Sequence, residues 1–169
     1  KFKGVARRFD HVGCVNDIEV VDDYGHHPTE VRATLEAAVQ HVQKNAQKNK
    51  NGKKQRIVIV FQPHQPGRLR DLWDDFAGSF TAADLVLLAD VYIARGGQIE
   101  GVNSEIFSKV IKHDEVHYLS GNASDLPAKI KPFLRAGDVV LTVGAGDITN
   151  VGKPLLKLIE DEGVDGRND

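Results

Sequence analysis

The chain has 169 residues, 22 Lys and Arg against 24 Asp and Glu for a net charge of −2, and 41% apolar residues. That length suits one domain with a real core, and so small a negative charge excludes recruitment to nucleic acid or an anionic membrane by bulk electrostatics. No apolar run is long enough to span a bilayer, no secretory leader is recognisable, and a lone cysteine, Cys14, excludes an internal disulfide and points to a reducing compartment. Methionine is absent even at position 1, which suggests a piece of something longer.

Lys1 to Gly13 is basic, glycine-punctuated and weakly periodic, and reads as a linker or the tail of a preceding domain. Ile18, Val20 and Val21 then supply the β-branched run of a strand, over about 17–21. It ends in Asp22-Asp23-Tyr24-Gly25-His26-His27-Pro28-Thr29-Glu30. Pro28 fits the first helical position and Glu30 the positive end of the helix dipole. Proline also biases His27 toward an extended backbone, so His26 and His27 should point in different directions. Val31, Leu35, Val39 and Val42 mark the apolar face of the helix that follows. The Lys- and Asn-rich segment 44–56 reads as a solvated helix end and loop.

Ile57 to Phe61 is a continuous apolar run, expected of a strand covered on both faces. It leads into Gln62-Pro63-His64-Gln65-Pro66-Gly67-Arg68, and Leu69, Leu72, Trp73, Phe76 and Phe80 predict one helix with Trp73 in the core. Further strands are expected at 85–91, 116–119 and 139–143, with helices marked by 106–111, 126–134 and 148–158 and a frayed tail from Asp161. Strands alternating with helices predict right-handed crossovers and a mostly parallel sheet of five to six strands, a three-layer α/β domain. Every strand's C-terminal end then lies along one edge, where open α/β sheets bind ligands. The polar segments after the strands should therefore share a crevice.

Within that crevice one of Asp22 and Asp23 is expected to satisfy backbone donors, the other to accept ribose hydroxyls. The spacing of His26, His27 and His64 matches no strong zinc pattern, so no metal site is assigned. His64 with Arg68 suits an anion, because Arg grips a carboxylate through two parallel bonds. Arg70 is expected to pair with Asp71 or Asp74. Gly144-Ala145-Gly146-Asp147 is weak taken alone, Cys14 is read as structural, and no Gly-x-x-x-x-Gly-Lys-Ser/Thr occurs.

Three segments together resemble the C-terminal domain of the Mur ligase family of peptidoglycan synthesis, in its alanine-adding branch. They are Phe2-Lys-Gly-Val-Ala-Arg-Arg-Phe9, Asp22 to Glu30, and Phe61-Gln-Pro-His64 with Arg68 to Leu72; Asp90-Val-Tyr92 and Val143-Gly-Ala-Gly146 follow in order. The resemblance implies a Rossmann-like domain at 16–169, with 1–15 as the end of a central ATPase domain. It implies a cytoplasmic, ATP-dependent ligase joining L-alanine to UDP-N-acetylmuramate through an acyl phosphate. ATP phosphates and Mg2+ would be held mainly by the central domain, and the fragment alone would be inactive. Carried over by position, Asp23 would contact the ATP ribose. Tyr24, His26, His64 and Arg68 would surround the amino acid, and His26 would hold or accept the amine proton. Members of the family usually carry arginine after the Pro-His histidine, where this chain has Gln65-Pro66-Gly67. One cationic contact worth about 1.5–3 kcal/mol is thus expected to be missing, or replaced by Arg70 in a rearranged loop. Segment 44–54 also looks like a loop insertion. Alternatives are a Mur ligase with another amino acid or peptide substrate, and a non-catalytic nucleotide-binding module.

Overall fold

The computed structural model describes residues 7–48 and 55–163. Its strands are β1 (Asp10–Val15), β2 (Ile18–Asp23), β3 (Arg56–Phe61), β4 (Leu85–Ala89), β5 (Val116–Leu119) and β6 (Asp138–Val143). They form one sheet in the order β1-β2-β6-β3-β4-β5, with β1 antiparallel to β2 and every other neighbour parallel. The helices are α1 (Pro28–Lys48), α2 (Pro66–Asp71), α3 (Trp73–Ala77), α4 (Ser104–Ser108), α5 (Leu126–Ile130) and α6 (Gly152–Glu162). This is the mostly parallel three-layer α/β architecture expected from the alternation of elements.

The period of two along each strand divides the core into two layers. Val21, Ile57, Ile59, Phe61, Leu88 and Leu141 face α1 to α4, where they meet Val31, Leu35, Leu69, Phe76 and Phe107. Ile18, Val20, Val58, Val60, Leu87 and Val140 face α5 and α6, against Leu126, Ile130, Leu155 and Ile159. Both faces being covered explains why the inner strands read as unbroken apolar runs. The crossover from β2 through α1 to β3 steps over β6, which enters later from the opposite layer. The ends of β2, β6 and β3 are therefore neighbours, and the reversal of winding falls among them.

Some sequence expectations change. Asp10 to Val15, read as linker, is instead the outer strand β1; its residues are exposed or half-buried, so no apolar alternation marks it. Cys14, read as structural, lies exposed on that strand. The helix expected through Leu69 to Phe80 breaks at Leu72, whose backbone (φ −118°, ψ 25°) leaves the helical region between α2 and α3. Trp73 is half-buried and packs edge-on to Phe107, centroids 4.9 Å apart, at the border of the core. Of the segment expected to be a loop insertion, α1 takes the residues up to Lys48 and 49–54 lie outside the described residues, as do 1–6 and 164–169.

At the opposite edge from the polar loops, Arg56 grips Asp138 through two bonds of 3.0 and 2.8 Å and also donates to the Phe133 carbonyl. Asp138 is fully buried and takes the Arg135 amide as well. This pair ties β3 to β6 at their starts. Truncating Asp138 strands a partly buried guanidinium, so Asp138→Ala should lower unfolding free energy by about 3–5 kcal/mol, read by urea denaturation.

Candidate functional site

Alternation along β2 sends its two terminal carboxylates to opposite faces. Asp22 turns toward the α6 layer, where it meets Arg7 Nε (2.8 Å), Thr142 Oγ1 (2.8 Å) and Thr149 Oγ1 (2.9 Å). It is a structural anchor. Asp23 turns toward α1 and accepts the Gly25 and Phe9 amides, each at 2.8 Å. It lines a cavity of about 280 Å³ with Arg8, Phe9, Thr29, Glu30 and Thr34.

The corner after β2 is organised by Glu30. Its Oε2 accepts the backbone amides of His26 (2.9 Å) and His27 (3.1 Å), closing the start of α1 as a capping glutamate does. Partial burial alone would raise the Glu30 carboxyl. The amides of His26 and His27, with the nearby His26 ring and Arg8, outweigh it and hold the carboxyl below its usual range. The two histidines diverge as expected. His27 Nδ1 turns back to Thr29 Oγ1 at 2.9 Å, whereas His26 packs edge-on to Tyr24, centroids 5.0 Å apart. Tyr24 is 41% exposed and lies under the Arg7 guanidinium at 5.2 Å.

Across β6, the end of β3 supplies His64. It forms a parallel bridge with Tyr92 beyond β4, and the Tyr92 amide donates to the Pro63 carbonyl. The imidazoles of His26 and His64 approach to 5.9 Å, and the Tyr92 ring stacks on His64 at 5.6 Å and 17°. Arg68, one turn into α2, donates from Nη1 to His64 Nδ1 at 3.2 Å. Tyr24, His26, His64 and Arg68 thus form one contiguous group. Asp23 sits beside them, with Glu30 as the shared wall.

Hydrogen-bond partners assign opposite tautomers to the two histidines. His26 Nδ1 faces two acceptors, the Tyr24 carbonyl at 3.0 Å and Glu30 Oε2 at 3.5 Å, so it carries the proton and Nε2 is left as an acceptor. His64 Nδ1 accepts from Arg68, so its proton is on Nε2, a donor. Burial, then Arg68 and His26, push the His64 imidazole below its ordinary value and keep it neutral. Side by side stand one proton acceptor, one neutral donor and one guanidinium. That set complements an amine next to a carboxylate.

Gln65, at the position where the resemblance implied arginine, takes a different part. Its backbone is left-handed (φ 70°), its amide donates to the Tyr92 carbonyl, and its side-chain amide, suitably oriented, pairs with the backbone of Arg95. It clamps the loop after β4. Arg70, the expected substitute cation, is exposed and paired with Asp71 at 2.8 Å, the pairing also expected of it. A larger cavity of about 690 Å³ opens beyond Val91 and Ile93, but no cationic side chain lines it. Of its two carboxylates, Asp90 and Glu100, Asp90 is taken by the Tyr118 hydroxyl and the Gly121 amide; burial and Asp90 push Tyr118 up to about 12.

For a nucleotide, the residues present fit only an edge: Asp23 and Phe9 border a cavity of suitable chemistry. Among the described residues no three His, Cys, Asp or Glu side chains converge to hold a metal. Sequence reasoning missed Arg7, which also donates to the Gly144 carbonyl at 2.8 Å, and gave Glu30 and Tyr92 no place in the site. The adjacent arginines of the supposed linker were the available signal for the first.

A Rossmann-like α/β domain with its polar loops gathered at the C-terminal strand ends is a ligand-binding module. The chain belongs to the Mur ligase family: residues 7–146 match the model for the Mur ligase, glutamate ligase domain. It is similar to a UDP-N-acetylmuramate–L-alanine ligase from Salinibacter ruber, 42% identical over 165 residues, covering 96% of this chain and 32% of that protein. The same enzyme from Desulforamulus reducens is 41% identical over 96% of this chain and 33% of its own length. Among solved structures, the UDP-N-acetylmuramate-alanine ligase of Thermotoga maritima superposes with a TM-score of 0.69 at 26% identity, over 95% of this chain and 31% of that one. The chain spans about a third of the length of the relatives it matches.

Two of the perturbed groups, His64 and Glu30, predict acid sensitivity. The folded state resists protonating His64, so stability falls as pH drops from about 6.5, the ordinary imidazole value, through the lower folded one. Glu30 adds stability present above its ordinary value near pH 4.3 and lost as pH falls through the folded one. Denaturation at stepped pH should show both losses, His64→Phe abolishing the upper and Glu30→Gln the lower.

Proposed function

We propose that this chain is the C-terminal domain of an ATP-dependent ligase that joins L-alanine to UDP-N-acetylmuramate in bacterial peptidoglycan synthesis, in the cytoplasm. The observation that carries it is the pairing of Arg68 and His64 with the oppositely protonated His26 at one crevice, in a chain 42% identical to an alanine ligase. ATP supplies the phosphoryl group that activates the sugar's carboxylate, with its phosphates and Mg2+ bound mainly by a central domain outside this chain. Here the work is to present the amino acid and close over the nucleotide's ribose at Asp23.

Arg68 takes the substrate carboxylate through the N–H groups it does not give to His64, and His64 Nε2–H adds a neutral donor. The amine must lose a proton to become a nucleophile. His26 Nε2 is the acceptor for it, and the Glu30 carboxylate 3.5 Å from Nδ1 stabilises the imidazolium that results. A C–N bond then forms at the activated carbonyl carbon as its bond to phosphate breaks. Tyr24, edge-on to His26 at 5.0 Å, forms part of the pocket wall.

The complete ligase should release phosphate only with ATP, UDP-N-acetylmuramate and L-alanine together, and the 169-residue chain alone should turn over nothing. Arg68→Ala should raise the alanine KM about ten- to a hundredfold, as loss of a charged hydrogen bond does, without moving the KM for ATP. His26→Gln should act on kcat, by about 10²-fold or more. An unchanged alanine KM in Arg68→Ala removes that residue from the site. Ligation of glycine or a peptide in preference to alanine replaces the substrate while keeping the chemistry.

A further inference from the structure

Nothing intrinsic holds a histidine ring at one angle, because its outer torsion is broad and two-fold. Rotating His64 would exchange Nδ1 for a carbon and release Arg68. The plane of this ring is set from outside its own strand. Tyr92 stacks on it at 5.6 Å and 17°, and main-chain bonds lock the two segments together, Tyr92 N to Pro63 O and Gln65 N to Tyr92 O, both 2.8 Å. Tyr92 in turn sits on Gly146. A Cβ at that glycine would lie 2.5 Å from Tyr92 Cγ and 2.8 Å from Tyr92 Cβ, and would also strike Gln62 Oε1. The Gln62 amide is itself pinned, donating to Asp147 Oδ1 at 2.7 Å and accepting from the Ile148 amide at 3.1 Å. The turn after β6 is thus a shallow seat with one edge fixed, and the tyrosine ring fills it.

We propose that Tyr92, seated on Gly146, is a positioning residue for the amino-acid site: its ring fixes the His64 imidazole so that Nδ1 stays on Arg68 and Nε2–H faces substrate. The proposal rests on the amino-acid-binding reading given above and extends it to two residues that need not touch substrate. It separates two roles for the ring. The flat π surface is what His64 requires; the hydroxyl has no hydrogen bond among the described residues and is dispensable for positioning.

The test uses Tyr92→Phe, which keeps the flat ring, Tyr92→Leu, which keeps apolar bulk without it, and Gly146→Ala, which unseats it. Nitrogen-resolved NMR of the 169-residue chain should show His64 with its proton on Nε2 in the wild type and in Tyr92→Phe. In Tyr92→Leu and Gly146→Ala the two tautomers should mix and the His64 titration should move toward that of an ordinary imidazole. Adding Gly146→Ala to Tyr92→Leu should change His64 no further, since the route through the ring is already gone. In the complete ligase Tyr92→Leu should raise the alanine KM about three- to tenfold, with Tyr92→Phe restoring it and the ATP KM unmoved. A His64 spectrum in Tyr92→Leu identical to wild type overturns the proposal, whether or not Gly146→Ala folds. Altered His64 spectra in an enzyme whose wild type does not ligate alanine would instead overturn the functional reading.

Discussion

The arrangement depends on where β6 inserts. Entering last, it lies between β2 and β3, so the corner after β2 and the loop after β3 stand two strand spacings apart, about 10 Å. His26 and His64 close that gap over the end of β6, to 5.9 Å between ring centroids. They can do so only if the turn leaving β6 stays low. Gly144 holds φ 151°, and a Cβ on it would come within 2.7 Å of the Gln62 carbonyl. A side chain at Gly144 or Gly146 would force this turn away from Gln62 and Tyr92.

Electrostatics then differentiates two residues of the same type. Each histidine is assigned its proton by its neighbours: a carbonyl and a carboxylate hold it on Nδ1 of His26, and a guanidinium excludes it from Nδ1 of His64. The anionic partner lies on one side of the crevice and the cationic partner on the other. An amino-acid zwitterion has the opposite polarity along its short axis, so under the proposed function this crevice would orient it as well as bind it. Glu30 serves both layers of this design, since the carboxylate that faces His26 also caps α1. Arg7 does something similar lower down, pairing with Asp22, holding the Gly144 carbonyl and covering Tyr24.

Much of the fold was legible because the inner strands bury both faces, and such strands announce themselves as unbroken runs such as Ile57 to Phe61. β1 was not, since an outer strand with exposed residues has no pattern to show. The site was legible to the extent that polar residues follow strands directly: Tyr24, His26, His64 and Arg68 all meet. The division expected between Asp22 and Asp23 is not the one the register of β2 produces: the backbone amides of Phe9 and Gly25 fall on Asp23, while Asp22 takes side-chain partners. Tyr92 lay beyond reach for another reason. Its importance comes from a parallel bridge to His64 and from the space left by Gly146, both contacts between segments far apart in the chain. Gln65, where an arginine was expected, supplies no cation; its side chain clamps the loop after β4 instead, a contact the sequence did not announce.

The central claim is that these loops hold an amino acid by its two charged ends. A crystal structure of the complete ligase with L-alanine and a non-hydrolysable ATP analogue tests it most directly. The account predicts the alanine carboxylate on the guanidinium of Arg68 and its nitrogen within hydrogen-bonding distance of His26 Nε2. Alanine seated elsewhere, with Arg68 and His26 facing solvent in the closed enzyme, would contradict it.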